Sequence, residues 1–278
     1  NRDGVTMRAQ VAPRPVGLLL SLQGTYHPFV MCPSYQEIAN LPLADKRVKL
    51  GDTTYRQTLL DEARTHGLFE LDNVWEFTNP PIYEPDPSMS IAAQAKKAGI
   101  DGAALALDIM LSDDGAGMLY MPALNFSGQN SDASGELLNH PLTLPGLGDG
   151  GAHVSFIMDA SFTTYQLTHW CRDRKRDDLI PLEYMIKSQC RDTAEAVGFM
   201  DRGLLAPGMK ADINIIDFER LSLKRPEMVQ DLPAGGHRLI QEAVGYRQMI
   251  VSGQVVVEDG KPTGAKPGKL IRGAQPQA

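Results

Sequence analysis

This 278-residue sequence has few cysteines, fewer basic than acidic residues and no long apolar run. Its three cysteines are Cys32, Cys171 and Cys190. They are scattered and stand in no CxxC or Cys–His ligand spacing, so they predict neither a disulfide framework nor a cysteine metal site. Reduced thiols are typical of a cytoplasmic protein, which is the location we expect. No apolar run approaches the ~18 residues that a membrane-spanning helix needs, so we expect no membrane partner.

The charge balance is mildly acidic, with 27 Lys and Arg against 34 Asp and Glu and a formal net charge of −7. Such a chain offers no basic surface to a phosphate backbone, so nucleic acid is not expected as a partner. Hydrophobic residues make up 42% of the sequence, which is enough for one large core or two smaller ones. The composition therefore predicts a folded globular chain.

Helical patterns dominate the first 200 residues. Residues 4–11 alternate small or apolar with polar side chains, which predicts a strand, and Pro13 and Pro15 end that strand by opening a loop. A second, apolar strand is predicted over residues 117–124. Helical spacing is found over residues 34–50, 53–66, 90–111, 131–139 and 181–199.

Two stretches are predicted to be irregular or exposed to solvent. Residues 78–88, TNPPIYEPDPS, hold four prolines and predict an extended surface loop. Residues 172–178 mix basic and acidic side chains, which is typical of a solvated surface. Just before them, His169, Trp170 and Cys171 are adjacent in sequence. Adjacent residues rarely have the geometry of a catalytic Cys–His pair, so we expect these side chains to pack or to belong to a substrate-binding loop.

After residue 200 the sequence changes character. Segments rich in β-branched residues, KADINIIDF, YRQMIVSG and QVVVEDGKPTG, are joined by turns that contain glycine. This pattern predicts short strands. We therefore divide the chain into a helix-rich part, residues 1–200, and an all-β part, residues 201–278.

The glycine-rich segment 144–153, LPGLGDGGAH, is the most informative in the chain. Four glycines in ten residues indicate unusual backbone geometry or the close approach of a ligand. A carboxylate held there, that of Asp149, can ligate a divalent metal and take a proton from metal-bound water. His153, four residues on, is placed to orient a substrate. The alternative is a structural turn in which Asp149 accepts backbone N–H groups.

Four segments together resemble one protein family. They are VTMRAQVAPRP at residues 5–15, GDGGAH at 148–153, RDTAEAVGFMDRGLLAPGMKADINIIDF at 191–218 and YRQMIVSGQVVVEDGKPTG at 246–264. In this order and spacing they resemble the carboxy-terminal half of the amidohydrolase superfamily, and specifically its branch of N-acyl-D-amino-acid deacylases (D-aminoacylases). The resemblance covers essentially the whole chain.

The resemblance implies an α/β fold. Residues 1–200 are then the carboxy-terminal part of a metal-dependent-hydrolase TIM-like (β/α)8 barrel, with strands seven and eight and inserted helices between them. We assign the opening strand to barrel strand seven and residues 144–148 to strand eight. Residues 201–278 are then the C-terminal strands of a small β-sandwich.

The resemblance also implies a function, the metal-dependent hydrolysis of linear N-acyl-D-amino acids to a carboxylate and a free D-amino acid. The implied cofactor is a divalent metal, which we expect to be zinc. Asp149 matches the family's metal-ligating general base, and His153 matches a histidine of the deacylase branch. Gln10 and Arg14, at the end of the first strand, are candidate substrate ligands, although bracing a loop suits Arg14 equally. Substrate preference is expected to lie in loops, namely a loop over residues 18–34 and upstream loops that this sequence lacks.

The sequence lacks other parts of the family pattern. Its six histidines include no HxH pair, and the 148 residues before Asp149 are fewer than the roughly 210 that seven βα units need. We therefore expect a carboxy-terminal portion that requires a separate amino-terminal chain or a second copy of itself. Two alternatives stay open, another superfamily reaction such as cyclic-amide hydrolysis, and a non-catalytic fragment or subunit. A serine hydrolase is disfavoured because GxSxG is absent.

Overall fold

A computed structural model describes residues 4–5, 7–146, 151–176 and 178–276 of the chain. The helices are α1 (Pro33–Ile38), α2 (Leu43–Gly51), α3 (Thr53–His66), α4 (Ile91–Ala98), α5 (Gly102–Gly115), α6 (Asp132–Leu138), α7 (Phe162–Thr168), α8 (Leu182–Lys187) and α9 (Thr193–Ala196). The strands are β1 (Ala9–Val11), β2 (Val16–Leu20), β3 (Trp75–Glu76), β4 (Leu119–Leu124), β5 (Thr143–Pro145), β6 (Ile213–Ile216), β7 (Ser222–Leu223), β8 (Glu227–Val229), β9 (Arg238–Ile240), β10 (Ala243–Val244), β11 (Tyr246–Val251), β12 (Gln254–Glu258) and β13 (Lys261–Pro262). The architecture is mixed α/β, and none of the described helices has both the length and the apolar character needed to cross a membrane.

The opening strand pairs with the strand that precedes the glycine-rich segment. β1 and β5 run parallel, with Gln10 opposite Leu144 and Val11 opposite Pro145. Parallel neighbours need a long crossover connection, and residues 12–142 provide it here. The assignment of these strands to barrel strands seven and eight stays a prediction.

Most of that crossover folds as one unit, which we name the helical insertion (residues 16–124). Its sheet has the order β2–β4–β3, with antiparallel neighbours. Helices α1 to α5 and this sheet enclose an apolar core, which we name the insertion core. Its buried members are Leu20, Leu22, Phe29, Cys32, Tyr35, Ile38, Leu50, Leu59, Leu60, Val74, Ile91, Ala106, Leu107, Met110 and Leu119. All of them lie inside the insertion.

Strand β2 differs from the sequence prediction, which gives a loop over residues 18–34. Pro13 and Pro15 do end β1, but the chain then enters a second sheet antiparallel to β4. Leu20 packs in the insertion core, while its neighbour Leu19 packs in a second core on the other side of the sheet. A strand that is buried on both faces shows no apolar–polar alternation, so its periodicity does not identify it.

Local signals set the helix boundaries in the insertion. The Asp52 carboxylate accepts a hydrogen bond from the Tyr55 backbone N–H at 2.8 Å, and α3 begins directly after Asp52. The prediction of a helix over residues 53–66 is therefore confirmed. The pattern over residues 34–50 is instead divided between α1 and α2, because Pro42 lacks the N–H needed to continue a helix and immediately precedes α2.

The second core lies where the insertion meets the remaining chain, and we name it the junction core. Its buried members are Val11, Leu19, Phe77, Tyr83, Met118, Tyr120, Leu138, Tyr165, Leu167, Trp170, Ile180, Met185, Leu221 and Leu239. They come from segments far apart in sequence, including β1, β4, α7 and the strands after residue 200. The junction core therefore holds the end of β1 against both the insertion and the β-rich tail.

Strands after residue 200 pair as short antiparallel units. β13, β12, β11 and β6 form a sheet in that order, while β7 pairs with β10 and β8 with β9. The prediction of short strands in this part of the sequence is confirmed. The domain boundary at residue 200 and the sandwich arrangement stay predictions.

Both stretches that were expected at the surface are partly buried. Tyr83 and Glu84, at the centre of the proline-rich stretch, are buried, with the Glu84 side chain 7% exposed. Arg174, in the mixed charge run, has a side chain that is 5% exposed and is ion-paired with Glu84. The expectation of a solvated surface is wrong for these residues, because each charge finds its partner in the other stretch. Asp177 lies outside the described residues.

Candidate active site

The carboxyl ends of β1 and β5 lie together because the two strands are parallel. Gln10 lies on β1, and its exposed side chain lies against Gly146, where an added Cβ would be 3.2 Å from Gln10 Cδ. Arg14 follows β1, and His153 follows β5 after a short connection. Asp149 falls in that connection, outside the described residues, so its role as metal ligand and base stays a prediction.

His153 occupies a turn and exposes its side chain. Its backbone has a φ of +50°, in the left-handed region that residues other than glycine seldom adopt. The His153 carbonyl accepts hydrogen bonds from the N–H groups of Phe156 and Ile157, both at 3.0 Å. The imidazole lies beside the Phe156 ring, with a centroid distance of 5.1 Å. This geometry leaves the imidazole accessible to a ligand while its backbone is fixed.

His153 belongs to the post-strand loop, by which we mean residues 151–161. Backbone hydrogen bonds attach this loop to two different parts of the chain. The Leu19 N–H donates to the Phe156 carbonyl, and the Leu239 N–H donates to the Val154 carbonyl, each at 2.8 Å. The loop is therefore held by the insertion through β2 and by the β-rich tail through β9.

The insertion makes further contacts with the post-strand loop through residues 24–26. A Cβ at Gly24 would lie 2.8 Å from the Ser155 carbonyl oxygen, so this close approach requires glycine. The Thr25 and Ser155 hydroxyl oxygens lie 2.5 Å apart, and the Tyr26 ring packs edge-on against Phe156 at 4.9 Å. These residues belong to the stretch predicted to govern substrate preference, a role that stays a prediction.

Arg14 contacts the same loop from the end of β1. Its side chain is 1% exposed and forms an ion pair with Asp159, which is 4% exposed. The guanidinium also donates to the Met158 carbonyl at 2.6 Å and to Ser161 Oγ at 3.4 Å. The structure therefore brings Arg14 and the post-strand loop together. Binding of a substrate carboxylate by Arg14 stays a prediction.

Two aromatic rings enclose the Arg14 guanidinium. Its central carbon lies 3.9 Å from the Tyr83 ring centroid and 4.5 Å from that of Phe162. Burial by itself lowers the pKa of Arg14, but Coulombic interactions with Tyr83, Asp159 and Tyr120 outweigh it and raise the pKa above its ordinary value. Arg14 is therefore a permanently charged group inside the fold.

A second buried charge cluster lies around Glu84. Its carboxylate is hydrogen-bonded to His169 Nε2 at 2.8 Å, and accepts from Arg174 Nε at 3.0 Å and from the Ser131 backbone N–H at 2.8 Å. Burial alone raises the pKa of Glu84, but the hydrogen bonds from His169, Arg174 and Ser131 outweigh it and lower that pKa to about 2. The cluster joins the proline-rich stretch to the start of α6 and to the helical segment after α7.

The sequence does not predict this cluster, because the residues that meet in it are far apart along the chain. Glu84 is 85 residues from His169 and 90 residues from Arg174. α7 continues into a π-helical turn, His169–Asp173, and this turn directs His169 toward Glu84. Trp170 is buried, and the His169 ring stacks on Tyr165 at 4.6 Å. The packing predicted for His169 and Trp170 is thus confirmed.

Two cavities flank α7. One, of about 720 Å³, lies between the proline-rich stretch and residues 165–176. The other, of about 940 Å³, lies between the start of α7 and the strands of the β-rich tail. Neither is lined by Gln10, Arg14 or His153, so neither is the candidate active site.

The described residues do not form a complete metal centre. Within the described ranges, no three His, Cys, Asp or Glu side chains come close enough together to hold a metal ion. Asp149, the ligand predicted from the sequence, would contribute one carboxylate, whereas a catalytic metal site commonly uses three protein ligands. A metal bound here would therefore require ligands in addition to those described.

Comparisons with known proteins place the chain in a family. A search of curated proteins finds no match. Solved structures that resemble the chain include a D-aminoacylase described as defining a novel subset of amidohydrolases, a D-aminoacylase variant in complex with copper chloride, and a structure from work on the binuclear metal centre of D-aminoacylase. Each has 20% identity and a TM-score of 0.39, and each match covers 69% of this chain and 36% of the other.

The chain thus spans little more than a third of the length of those D-aminoacylase structures. The similarity of this chain to those structures is too low to identify its substrate. The match to a family model is more extensive. The model of the amidohydrolase family matches residues 87–257, which is more than half of the sequence, and the chain therefore belongs to the amidohydrolase family.

Proposed function

We propose that this chain supplies the carboxy-terminal part of a metal-dependent amide hydrolase. Family membership supports the reaction class. The observation that carries the proposal is the parallel pairing of β1 with β5, because it brings Gln10, Arg14 and the post-strand loop to one edge of a sheet. Active sites of parallel α/β folds lie at the carboxyl ends of their strands.

The substrate that we propose is a linear N-acyl-D-amino acid, hydrolysed to a carboxylate and a free D-amino acid. This choice rests on the GDGGAH segment and on residues 191–218, which resemble the deacylase branch. Asp149 is the proposed catalytic base and metal ligand. Gln10 and His153 are proposed to contact the substrate, because both side chains are exposed and the two residues belong to β1 and to the loop that follows β5. Arg14 is the proposed partner of the substrate carboxylate or the brace of the post-strand loop.

The proposed metal is a divalent ion, with zinc as our choice, and most of its ligands lie outside the described residues. The sheet supports the same view. Among the described strands, β1 and β5 pair only with each other, and a parallel pair with two open edges requires further strands. We propose that a separate amino-terminal chain supplies these strands and ligands, with a second copy of this chain as the alternative. A cytoplasmic location, suggested by the free thiols, belongs to the same proposal.

The test is hydrolysis by this chain combined with any amino-terminal chain that is encoded upstream of it. We expect turnover of N-acetyl-D-amino acids, with slower turnover of the L-enantiomers and of a cyclic amide such as dihydrouracil. Asp149→Asn is expected to abolish turnover without loss of folded structure, because it removes the proposed base. The matched control, Asp61→Asn, alters an exposed carboxylate on α3 and is expected to retain activity. Retained turnover in Asp149→Asn, or a preference for the cyclic amide, contradicts the proposal.

A further inference from the structure

Arg14 is placed where a charge is costly unless it is fully paired. A guanidinium that is 1% exposed has lost its hydration, and an unpaired charge in such a site strongly destabilises a fold. Asp159, the carboxylate that pairs with it, is itself 4% exposed. Each charge therefore stabilises the other, and separating them removes a charged partner from two buried groups.

Arg14 donates to the post-strand loop at three closely spaced positions, the Met158 carbonyl, the Asp159 carboxylate and Ser161 Oγ. A planar guanidinium presents its donors in a fixed geometry, so one side chain can fix the conformation of several consecutive residues. The backbone next to Arg14 is also held in place. Trp170 Nε1 donates to the carbonyl of Pro13, the preceding residue, at 2.5 Å.

Aromatic contacts prevent the guanidinium from turning toward a ligand. The central carbon of the guanidinium lies over the Tyr83 and Phe162 rings, at 3.9 Å and 4.5 Å from their centroids. Tyr83 is itself buried in the junction core. To bind a substrate carboxylate, Arg14 has to leave this enclosure and abandon Asp159. The Arg14 side chain therefore interacts with other groups of the protein, whereas the side chains of Gln10 and His153 are exposed.

We propose that Arg14 is a positioning residue that acts through Asp159 to hold the post-strand loop, and with it His153, at the carboxyl ends of β1 and β5. This inference rests on the proposed function to the extent that the loop contributes to catalysis. It assigns to Arg14 a role in the rate of the reaction and no direct contact with substrate. It assigns Asp159 the same role, as the partner through which Arg14 acts.

The first experiment measures backbone hydrogen exchange of the post-strand loop in the full chain by mass spectrometry. Arg14→Gln and Asp159→Asn are expected to increase exchange in residues 151–161 by about tenfold or more, the effect of losing one charged hydrogen bond. The control, Arg8→Gln, removes an exposed arginine just before β1 that donates to the Pro141 carbonyl. Arg8→Gln is expected to leave hydrogen exchange in residues 151–161 unchanged. Unchanged exchange in Arg14→Gln overturns the proposal.

The second experiment separates positioning from substrate binding by kinetics of the assembled enzyme. If Arg14 positions the loop, Arg14→Gln lowers kcat by about a hundredfold with little change in KM, because misplaced catalytic groups act on the rate. Asp159→Asn gives a similar loss, and the double variant is no worse than either single one. Arg14→Lys has a higher kcat than Arg14→Gln, because lysine keeps the positive charge but lacks the planar guanidinium with its several donors.

Direct binding of a carboxylate predicts a different result. Arg14→Gln then raises KM by about tenfold or more, and N-acyl amines that lack the carboxylate are hydrolysed equally well by the variant and the parent. That outcome overturns the proposal and returns Arg14 to the substrate site. If the parent assembly hydrolyses no amide, the proposed function fails and Arg14 has no part in such a reaction. Hydrogen exchange then still decides whether Arg14 holds the loop.

Discussion

The helical insertion and the junction bury their side chains in different ways. The insertion core is drawn entirely from residues within the insertion and is almost wholly apolar. The junction combines apolar side chains from distant segments with buried charges, namely the Arg14–Asp159 pair and the Glu84–Arg174 pair. Apolar packing contains no titratable group and so depends little on pH, whereas buried charges depend on having their partners in place.

This difference separates stability from function in the chain. The insertion draws its core from its own residues, and its helices carry local caps such as Asp52. The junction depends on contacts between remote segments, and its core residue Tyr83 packs against the candidate site residue Arg14. We therefore expect the two regions to respond differently to mutation and to acid.

The largest difference is expected from truncation of the insertion core. Leu107 is fully buried, so Leu107→Ala should lower the free energy of unfolding of the insertion by about 4 kcal/mol through lost burial and a residual cavity. Native-state hydrogen exchange in urea measures this region by region. Val48→Ala, at a side chain that is 75% exposed, is the control and should change stability by less than about 0.5 kcal/mol. An equal loss in the junction means that the two regions unfold as one unit.

The next effect is expected in the junction. Glu84→Gln keeps the shape of the side chain but removes the carboxylate from His169 and Arg174, so it should cost about 3 kcal/mol. Urea unfolding followed by hydrogen exchange of residues 165–176 measures the loss. The control is Glu136→Gln, at an exposed position on α6. A Glu84→Gln protein as stable as its parent shows that this cluster does not stabilise the junction.

Acid should distinguish the regions without any mutation. The pKa of Glu84 falls from its ordinary 4.5 to about 2, since its hydrogen bonds to His169 and Arg174 outweigh the effect of burial. A depressed pKa means that the ionised group stabilises the fold fully above pH 4.5 and loses that effect as the pH falls toward 2. Hydrogen exchange measured over this interval should show the junction weakening in the parent. Glu84→Gln should remove that part of the pH dependence, and an unchanged profile contradicts the assignment.

The smallest effect is expected at a helix cap in the insertion. Asp52→Ala removes the carboxylate that accepts the Tyr55 N–H and should lower the free energy of unfolding by about 1 kcal/mol. Asp61→Ala on the same helix removes an exposed carboxylate paired with Arg64, and should cost less than about 0.5 kcal/mol. Chemical denaturation of the insertion compares the two variants. Equal losses indicate that general surface charge, and not the cap, sets the stability of α3.

The same contrast explains which elements could be predicted from the sequence. The start of α3 is encoded within a few residues, by Asp52 and the helical spacing that follows, and the prediction is confirmed. The break between α4 and α5 is likewise local, because Gly99 adopts a φ of +67° that favours glycine. The parallel pairing of β1 with β5 spans the whole crossover. Only the family resemblance, not the local pattern, indicated that these strands are neighbours.

The candidate site was harder to predict because its chemistry depends on remote pairs. Glu84 stood among prolines and Arg174 in a run of mixed charge, and nothing in either pattern indicated that each would be buried against the other. Arg14 was proposed both as a substrate ligand and as a brace, and its contacts with Asp159 favour the brace. The GDGGAH segment was recognised from sequence alone, while Asp149 lies outside the described residues.

The central claim is that this chain contributes one carboxylate to a metal site that other strands complete. The most direct test is the metal content and N-acetyl-D-amino-acid hydrolysis of the chain alone and with any amino-terminal chain that is encoded upstream of it. We predict bound divalent metal and turnover only in the combined sample, and loss of the metal in Asp149→Asn. Stoichiometric metal and turnover in the chain alone contradict the claim and place a complete site among its own residues.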